Sequence, residues 1–196
     1  MHELAILTVV IVVVMAATTA VAGLIGRALL VVEYALATVS ALIALFAMAF
    51  VGAEVAMRYL FNAPIPGHLE GSELLMPMIV FLAISYTQAT HGHVGMDLLL
   101  DALSPQIKRY ATMGTLLLSL FICAVLAYFS GKNALQLYKF DDVTMTPPYF
   151  KTWPSGAAIM LGYMLISLRM WVQVLHLYDP DRFPANEPAE GFHAVE

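Results

Sequence analysis

Charge is what this chain has least of. Only 12% of its 196 residues are Asp, Glu, Lys or Arg, where soluble domains carry about a quarter. Hydrophobic residues make up 61% and mean hydropathy is +0.81. Those values exclude a soluble globular domain and read as an integral membrane protein. Basic runs are missing too, and the net charge of −5 is spread over ends and loops. Nothing here supports nucleic-acid binding. One cysteine is present, Cys123, inside an apolar run. It has no partner for an internal disulfide and no flanking residues suited to a metal site, so it reads as packing filler. The sequence also lacks a fixed-period repeat, and it lacks an inverted pair of broken helices of the kind that builds a transport site. No polar stripe runs along a helix, which argues against a self-contained channel or exporter.

What charge there is gathers at one stretch, Arg58-Tyr59-Leu60-Phe61-Asn62-Ala63-Pro64-Ile65-Pro66-Gly67-His68-Leu69-Glu70. It lies between two long apolar runs and stops a helix. Asn62 suits a cap, and Pro64 and Pro66 cannot continue the helix. The spacing predicts a turn near a membrane surface and a second helix starting near Glu70. Glu54 lies four residues before Arg58, so the two can pair on one helix face. The stretch reads either as an interfacial hairpin with snorkelling ends or as a docking surface.

Five apolar runs are long enough to span a bilayer, which takes about 20 residues. The first covers residues 4–25, with Gly23 and Gly26 bracketing the turn that ends it. Ala20-Val21-Ala22 resembles a cleavage site. However, Met1-His2-Glu3 carries no Lys or Arg and the run exceeds a signal peptide's apolar region, so a retained helix is expected. The second covers residues 28–61. Glu33 and Glu54 are 21 residues apart within it, about 31 Å along a helix. That matches the hydrocarbon thickness and predicts the two carboxylates at opposite interfaces. The third covers residues 74–89, with Pro77 expected in its first turn. Ser85, Thr87 and Gln88 near its end can bond a neighbouring helix or equally mark the approach to the interface.

His91-Gly92-His93-Val94-Gly95-Met96-Asp97 follows. His-x-His spacing suits a strand better than a helix, and no fourth ligand is near, which disfavours a metal site. Residues 96–103 predict a short helix on the membrane surface, with Asp97 and Asp101 on one face. Ser104-Pro105 opens the fourth run. It continues past the membrane to about Phe140. An irregular segment from Asp141 to Pro154 carries the boundary aromatics Tyr149, Phe150 and Trp153. The fifth run, residues 155–177, starts with Ser155, Gly156, Ala157 and Ala158, small enough for close helix packing. Residues 179–196 are proline-rich and acidic and predict a disordered tail.

Orientation is not set by charge. With the N-terminus outside, inner loops hold Arg27, Lys108, Arg109, Arg169 and Arg182, and outer ones hold Arg58, Lys132, Lys139 and Lys151. The positive-inside rule gets little from that near-tie.

In order along the chain, Arg58, Tyr59, Phe61, Asn62, Pro64 and Glu70, then His93, Val94 and Asp97, then Leu103 and Pro105 match a family pattern. That pattern is Arg-Tyr-x-Phe-Asn-x-Pro, a glutamate, one membrane helix, and His-Val-x-x-Asp before a leucine-rich stretch and a proline. Trp153-Pro154-Ser155-Gly156 resembles the family's entry to its last helix. Over about residues 27–178 the chain resembles the small membrane subunit of tripartite ATP-independent periplasmic (TRAP) transporters, the DctQ-like family. Gly67 or His68 stands where the family commonly has tryptophan.

The resemblance implies an all-α, polytopic membrane fold. Residues 27–178 would form a four-helix DctQ-like core with the short interfacial helix near 96–103. Residues 1–26 would add an N-terminal transmembrane helix, and 179–196 the tail. It implies a non-catalytic scaffold in the bacterial inner membrane. The partners would be a large elevator-type membrane subunit, a periplasmic substrate-binding protein and membrane lipids. No cofactor is expected on this chain; sodium ions would bind the large subunit, and the solute would be an organic anion such as a carboxylate. Glu54, Arg58, Tyr59, Phe61, Asn62, Pro64, Glu70, His93, Asp97, Trp153 and Pro154 would form the partner interface or hold it in shape. The hairpin at 58–70 and the segment at 132–153 would be periplasmic, and residues 91–109 cytoplasmic. A haem- or quinone-binding anchor of a redox enzyme is the alternative. It needs histidines facing each other within the bilayer, whereas His2, His68, His91, His93, His176 and His193 all lie at ends or loops.

Overall fold

In a computed structural model, residues 22–90 and 105–178 are described, with side chains from Ala28. Most of the run at 4–25, the His91–Asp97 turn, the surface helix at 96–103 and the tail at 179–196 lie outside the described residues. Four α-helices account for nearly all the rest: α1 Ala22–Phe61, α2 His68–Ala89, α3 Pro105–Lys139 and α4 Trp153–Tyr178. Each is long and apolar enough to cross a membrane. The described fold is all-α and polytopic. The one β-bridge among the described residues joins Val143 to Lys151.

The helices are long because nothing interrupts them. No proline falls within α1, and in α3 proline stands only at the first position. At 1.5 Å per residue, the 40 residues of α1 reach about 60 Å and the 35 of α3 about 52 Å. Both exceed a hydrocarbon core of about 30 Å, so their ends extend into or past the headgroups.

Two expectations need correction. Gly23 and Gly26 do not form a turn; both lie inside α1, which begins at Ala22. Glycine weakens a helix but does not end one without a breaker beside it. Pro77 is not in a first turn either. Helix α2 starts at His68, ahead of the apolar run, so Pro77 is its tenth residue. The ring removes one amide donor, a loss that membrane helices tolerate when neighbours re-satisfy the backbone.

The chain divides into two compact units. In the first, residues 22–34, 85–90, 105–125 and 164–178 surround a core that includes Leu29, Leu120, Ile166, Met170 and Val174. Arg109 of α3 donates to the carbonyls of Leu177 at 2.6 Å and Tyr178 at 3.3 Å. It thereby closes the C-terminal end of α4, where carbonyls lack helical partners.

In the second unit, residues 35–84 and 126–163, small residues let helices approach closely. Ser40 of α1 donates to the Ile79 carbonyl of α2 at 2.5 Å. A Cβ on Gly156 would lie 3.1 Å from Leu137 Cδ1 and 3.4 Å from Ala134 Cα, so α4 runs close against α3. At Gly162 the approach is tighter: a Cβ there would overlap the Phe81 carbonyl oxygen and lie 2.8 Å from Phe81 Cβ. Tyr163 packs its ring 4.9 Å from that of Phe81. The small residues at the start of α4 do what their size suggests, letting backbones meet.

Burial on α1 is sorted by polarity rather than by hydrophobicity. From Ala28 on, its buried positions are Leu29, Glu33, Ser40 and Glu54, all on one face, while Val31, Leu42, Phe46, Met48 and Val51 are exposed. In lipid the surrounding medium is as apolar as leucine, so outward-facing apolar side chains cost nothing and polar ones turn inward.

Gly162→Val is expected to lower the thermal midpoint of the detergent-solubilised chain, since overpacking costs about 1–3 kcal/mol. Gly52→Ala, where a Cβ would meet nothing within 4 Å, should leave the midpoint unchanged or slightly higher. Equal midpoints for Gly162→Val and the parent would show that α2 and α4 do not approach this closely.

Candidate functional site

The second unit carries the hairpin between α1 and α2. Helix α1 ends at Phe61, and Asn62 takes φ 52°, the left-handed geometry that stops helices. The Ala63 amide turns back to the Met57 carbonyl at 3.1 Å. Pro64 and Pro66 hold the chain extended, and α2 begins at His68. Glu54 is only 3% exposed and accepts from Arg58 NH2 at 2.5 Å. His68 joins them from the other helix. Its Nδ1 lies 3.1 Å from the Ile65 carbonyl and its Nε2 3.4 Å from Arg58. A neutral ring donating from Nδ1 and accepting at Nε2 satisfies both contacts.

The hairpin is clamped to the segment between α3 and α4. Both Glu70 carboxylate oxygens accept from the Thr146 amide, at 3.1 and 3.3 Å. Gly67 has φ 72°, and a Cβ there would lie 2.5 Å from Pro148 Cδ and 2.9 Å from the Pro147 carbonyl. Geometry and space both demand glycine at this position. The segment has its own order. Thr144 N–H donates to the Phe150 carbonyl at 2.9 Å and Tyr149 N–H to Thr146 at 3.0 Å. The Thr152 hydroxyl donates to the Asp142 carboxylate at 2.9 Å, and Lys151 donates to Asp141 at 2.8 Å. That hydrogen bond raises the Lys151 pKa. The contribution is therefore complete below the ordinary lysine range and fades only as pH climbs through the raised value. With 57% of the Lys151 side chain exposed, water screens the pair and keeps it weak.

The sequence-marked residues separate into groups. Glu54 and Arg58 meet each other and His68. Asn62, Pro64 and Glu70 shape the turn and its clamp. Trp153 opens α4 and packs edge-on against Tyr138 at 5.8 Å, with Pro154 next in the helix's first turn. Tyr59 and Phe61 join no cluster; they project outward, Tyr59 being 80% exposed. His93 and Asp97 lie outside the described residues.

The first unit holds a cluster that the sequence reading missed. Glu33 is fully buried inside the protein, and Arg169 is 2% exposed within α4 rather than beside a loop. The two form a forked ion pair. Arg169 Nε donates to Glu33 Oε1 at 3.0 Å and its NH2 to Oε2. The Ser85 hydroxyl of α2 adds a 2.5 Å bond to Oε1. Next to it, Gln88 and Gln173 bond amide to amide at 2.9 Å. Ser85 and Gln88 thus bond neighbouring helices as their positions suggested. The missed signal was one acid and one base, each inside an apolar run, which is the pattern that asks for a partner. Taking Arg169 off the loop count leaves four charges on either side. Among the described residues no group of three His, Cys, Asp or Glu side chains is placed to hold a metal ion.

Removing one partner strands the other charge, so Glu33→Gln or Arg169→Met should each destabilise the chain by about 3–5 kcal/mol. The double variant Glu33→Leu/Arg169→Met should recover most of the loss. Denaturant unfolding in detergent reads all three, and additive losses would deny the pairing.

Residues 47–179 match the family described as Tripartite ATP-independent periplasmic transporters, DctQ component. No curated protein matches the chain. The matched stretch is about two thirds of the sequence and spans the hairpin, the clamp and all of α2, α3 and α4. The chain therefore belongs to the DctQ family, as a small multi-pass membrane subunit of a tripartite ATP-independent periplasmic transporter.

Proposed function

We propose that the chain is a non-catalytic scaffold in the bacterial inner membrane. It packs beside a large elevator-type membrane subunit and enlarges that subunit's fixed frame. A periplasmic binding protein delivers an organic anion, with a carboxylate the fitting class, and a sodium gradient drives uptake through sites on the large subunit. No cofactor on this chain enters the scheme.

The observation that carries the reading is the state of the buried acids. Glu33 and Glu54 are each closed by an arginine, Arg169 and Arg58. A path for an anionic solute needs open polar lining or an available cation, and these groups are committed to each other. Family membership and the ordered motifs point the same way. The Glu70–Thr146 clamp also requires the hairpin and the segment after α3 to lie on one side of the membrane, as the topology implied by the family does. In that topology the clamped pair is periplasmic. It faces the large subunit or the incoming binding protein, with Tyr59 and Phe61 on its outside.

Arg58→Glu would leave buried Glu54 beside a second negative charge. Uptake by the reconstituted transporter should then fall while expression of the large subunit holds. A loss of about 1.4 kcal/mol in assembly is a tenfold loss of complex. Unchanged uptake would remove the hairpin from the mechanism. His93 and Asp97 are assigned to ordering the cytoplasmic turn, so alanine at both should reduce co-purification with the large subunit. Intact assembly and transport in that variant would end the assignment.

A further inference from the structure

The second unit contains a groove that scaffolding does not require. Its volume is about 370 Å³. One wall is the stacked pair Phe46 and Phe50 of α1, rings 6.0 Å apart and nearly parallel. The other is α2 from Leu74 to Met78, and Phe150 and Lys151 stand at the end nearest the clamp. From Gly71, which also lines it, to Met78 is about 10 Å along the helix.

The two ends differ chemically. The far end, at Phe46 and Met78, lies inside spans α1 and α2 and offers no polar group. Water there would lack the two to four partners it needs, and the surrounding medium is hydrocarbon. The near end carries Lys151, more than half exposed, with one of its three donors on Asp141. Tyr149 and Trp153 flank Lys151 in the chain, and such residues mark the headgroup level. A ligand that fits has a hydrocarbon tail and, at one end, an anionic group.

We propose that this groove binds a single phospholipid. One acyl chain lies along Phe46, Phe50, Leu74 and Met78, and the phosphate sits on Lys151. An apolar side chain from a protein partner would fill the deep end but make no use of the Lys151 donors that remain beside its bond to Asp141. Gly71 keeps the mouth open. A Cβ there would lie 3.4 Å from ring atoms of both Phe50 and Phe150, so a longer side chain would enter the groove.

The test is native mass spectrometry of the full chain, purified with its large subunit, stripped of lipid in detergent and titrated with palmitoyl-oleoyl phosphatidylethanolamine. One tightly held lipid per small subunit is expected. Gly71→Leu, which plugs the mouth, should weaken its retention by about tenfold or more, the equivalent of 1.4 kcal/mol. Gly71→Ala should retain it. Lys151→Gln should lose the preference for the phospholipid over palmitoyl-oleoyl glycerol, which has the same chains and no phosphate. Met78→Trp closes the deep end and serves if Gly71→Leu does not assemble. Equal retention by the plugged and parent proteins would overturn the proposal. So would palmitoyl-oleoyl glycerol binding as well as the phospholipid to the parent, or a cysteine at Leu75 cross-linking efficiently to the large subunit.

Discussion

A carboxylate and a guanidinium inside an apolar medium must find each other, and the first unit is built on that requirement. An unpaired charge at the centre of a membrane helix costs about 2.5–3.5 kcal/mol even on the mildest scales. Glu33 on α1 and Arg169 on α4 cancel that cost for one another, with Ser85 of α2 supplying a further hydrogen bond. The fork of two bonds also restrains rotation and height, because a planar guanidinium must lie edge-on in the carboxylate plane to meet both oxygens. Apolar packing in lipid lacks that selectivity, since any greasy face tolerates the acyl chains around it. The pair therefore specifies which faces of α1 and α4 meet.

The second unit solves a different problem, that of holding irregular backbone in shape where helices end. Asn62 and Gly67 supply left-handed geometry, and two prolines keep the chain between them from continuing either helix. Glu70 then reaches an amide in the segment after α3 that would otherwise need water. The result is an end with defined shape rather than two independent loops. Such an end suits the scaffold role proposed above. The phospholipid groove lies against the same clamp, sharing Phe150 and Lys151 with its segment.

Much of this was legible in the residues. The turn at Asn62 and Pro64, the Glu54–Arg58 pair, the proline start of α3 and the small residues opening α4 all follow from local chemistry within a few positions. The errors were local as well. Gly23 and Gly26 read as a break only because two apolar runs seemed to need separating. Pro77 read as first-turn because its place was counted from the apolar run at residue 74 rather than from the helix start near Glu70 that the hairpin indicated. The role of Gly67 was invisible, since the prolines it touches lie 80 residues onward.

Composition and period alone settled that this is a helical membrane protein, because only a helix satisfies its backbone in lipid without a partner strand. The ordered motifs settled its family. Tertiary structure alone decided what becomes of the charges. Spacing along α1 spoke only to the depth of Glu33, since depth was the only variable a single helix offers. Its partner is an arginine 136 residues away, which no local spacing reveals, and a buried carboxylate goes where its counter-charge is.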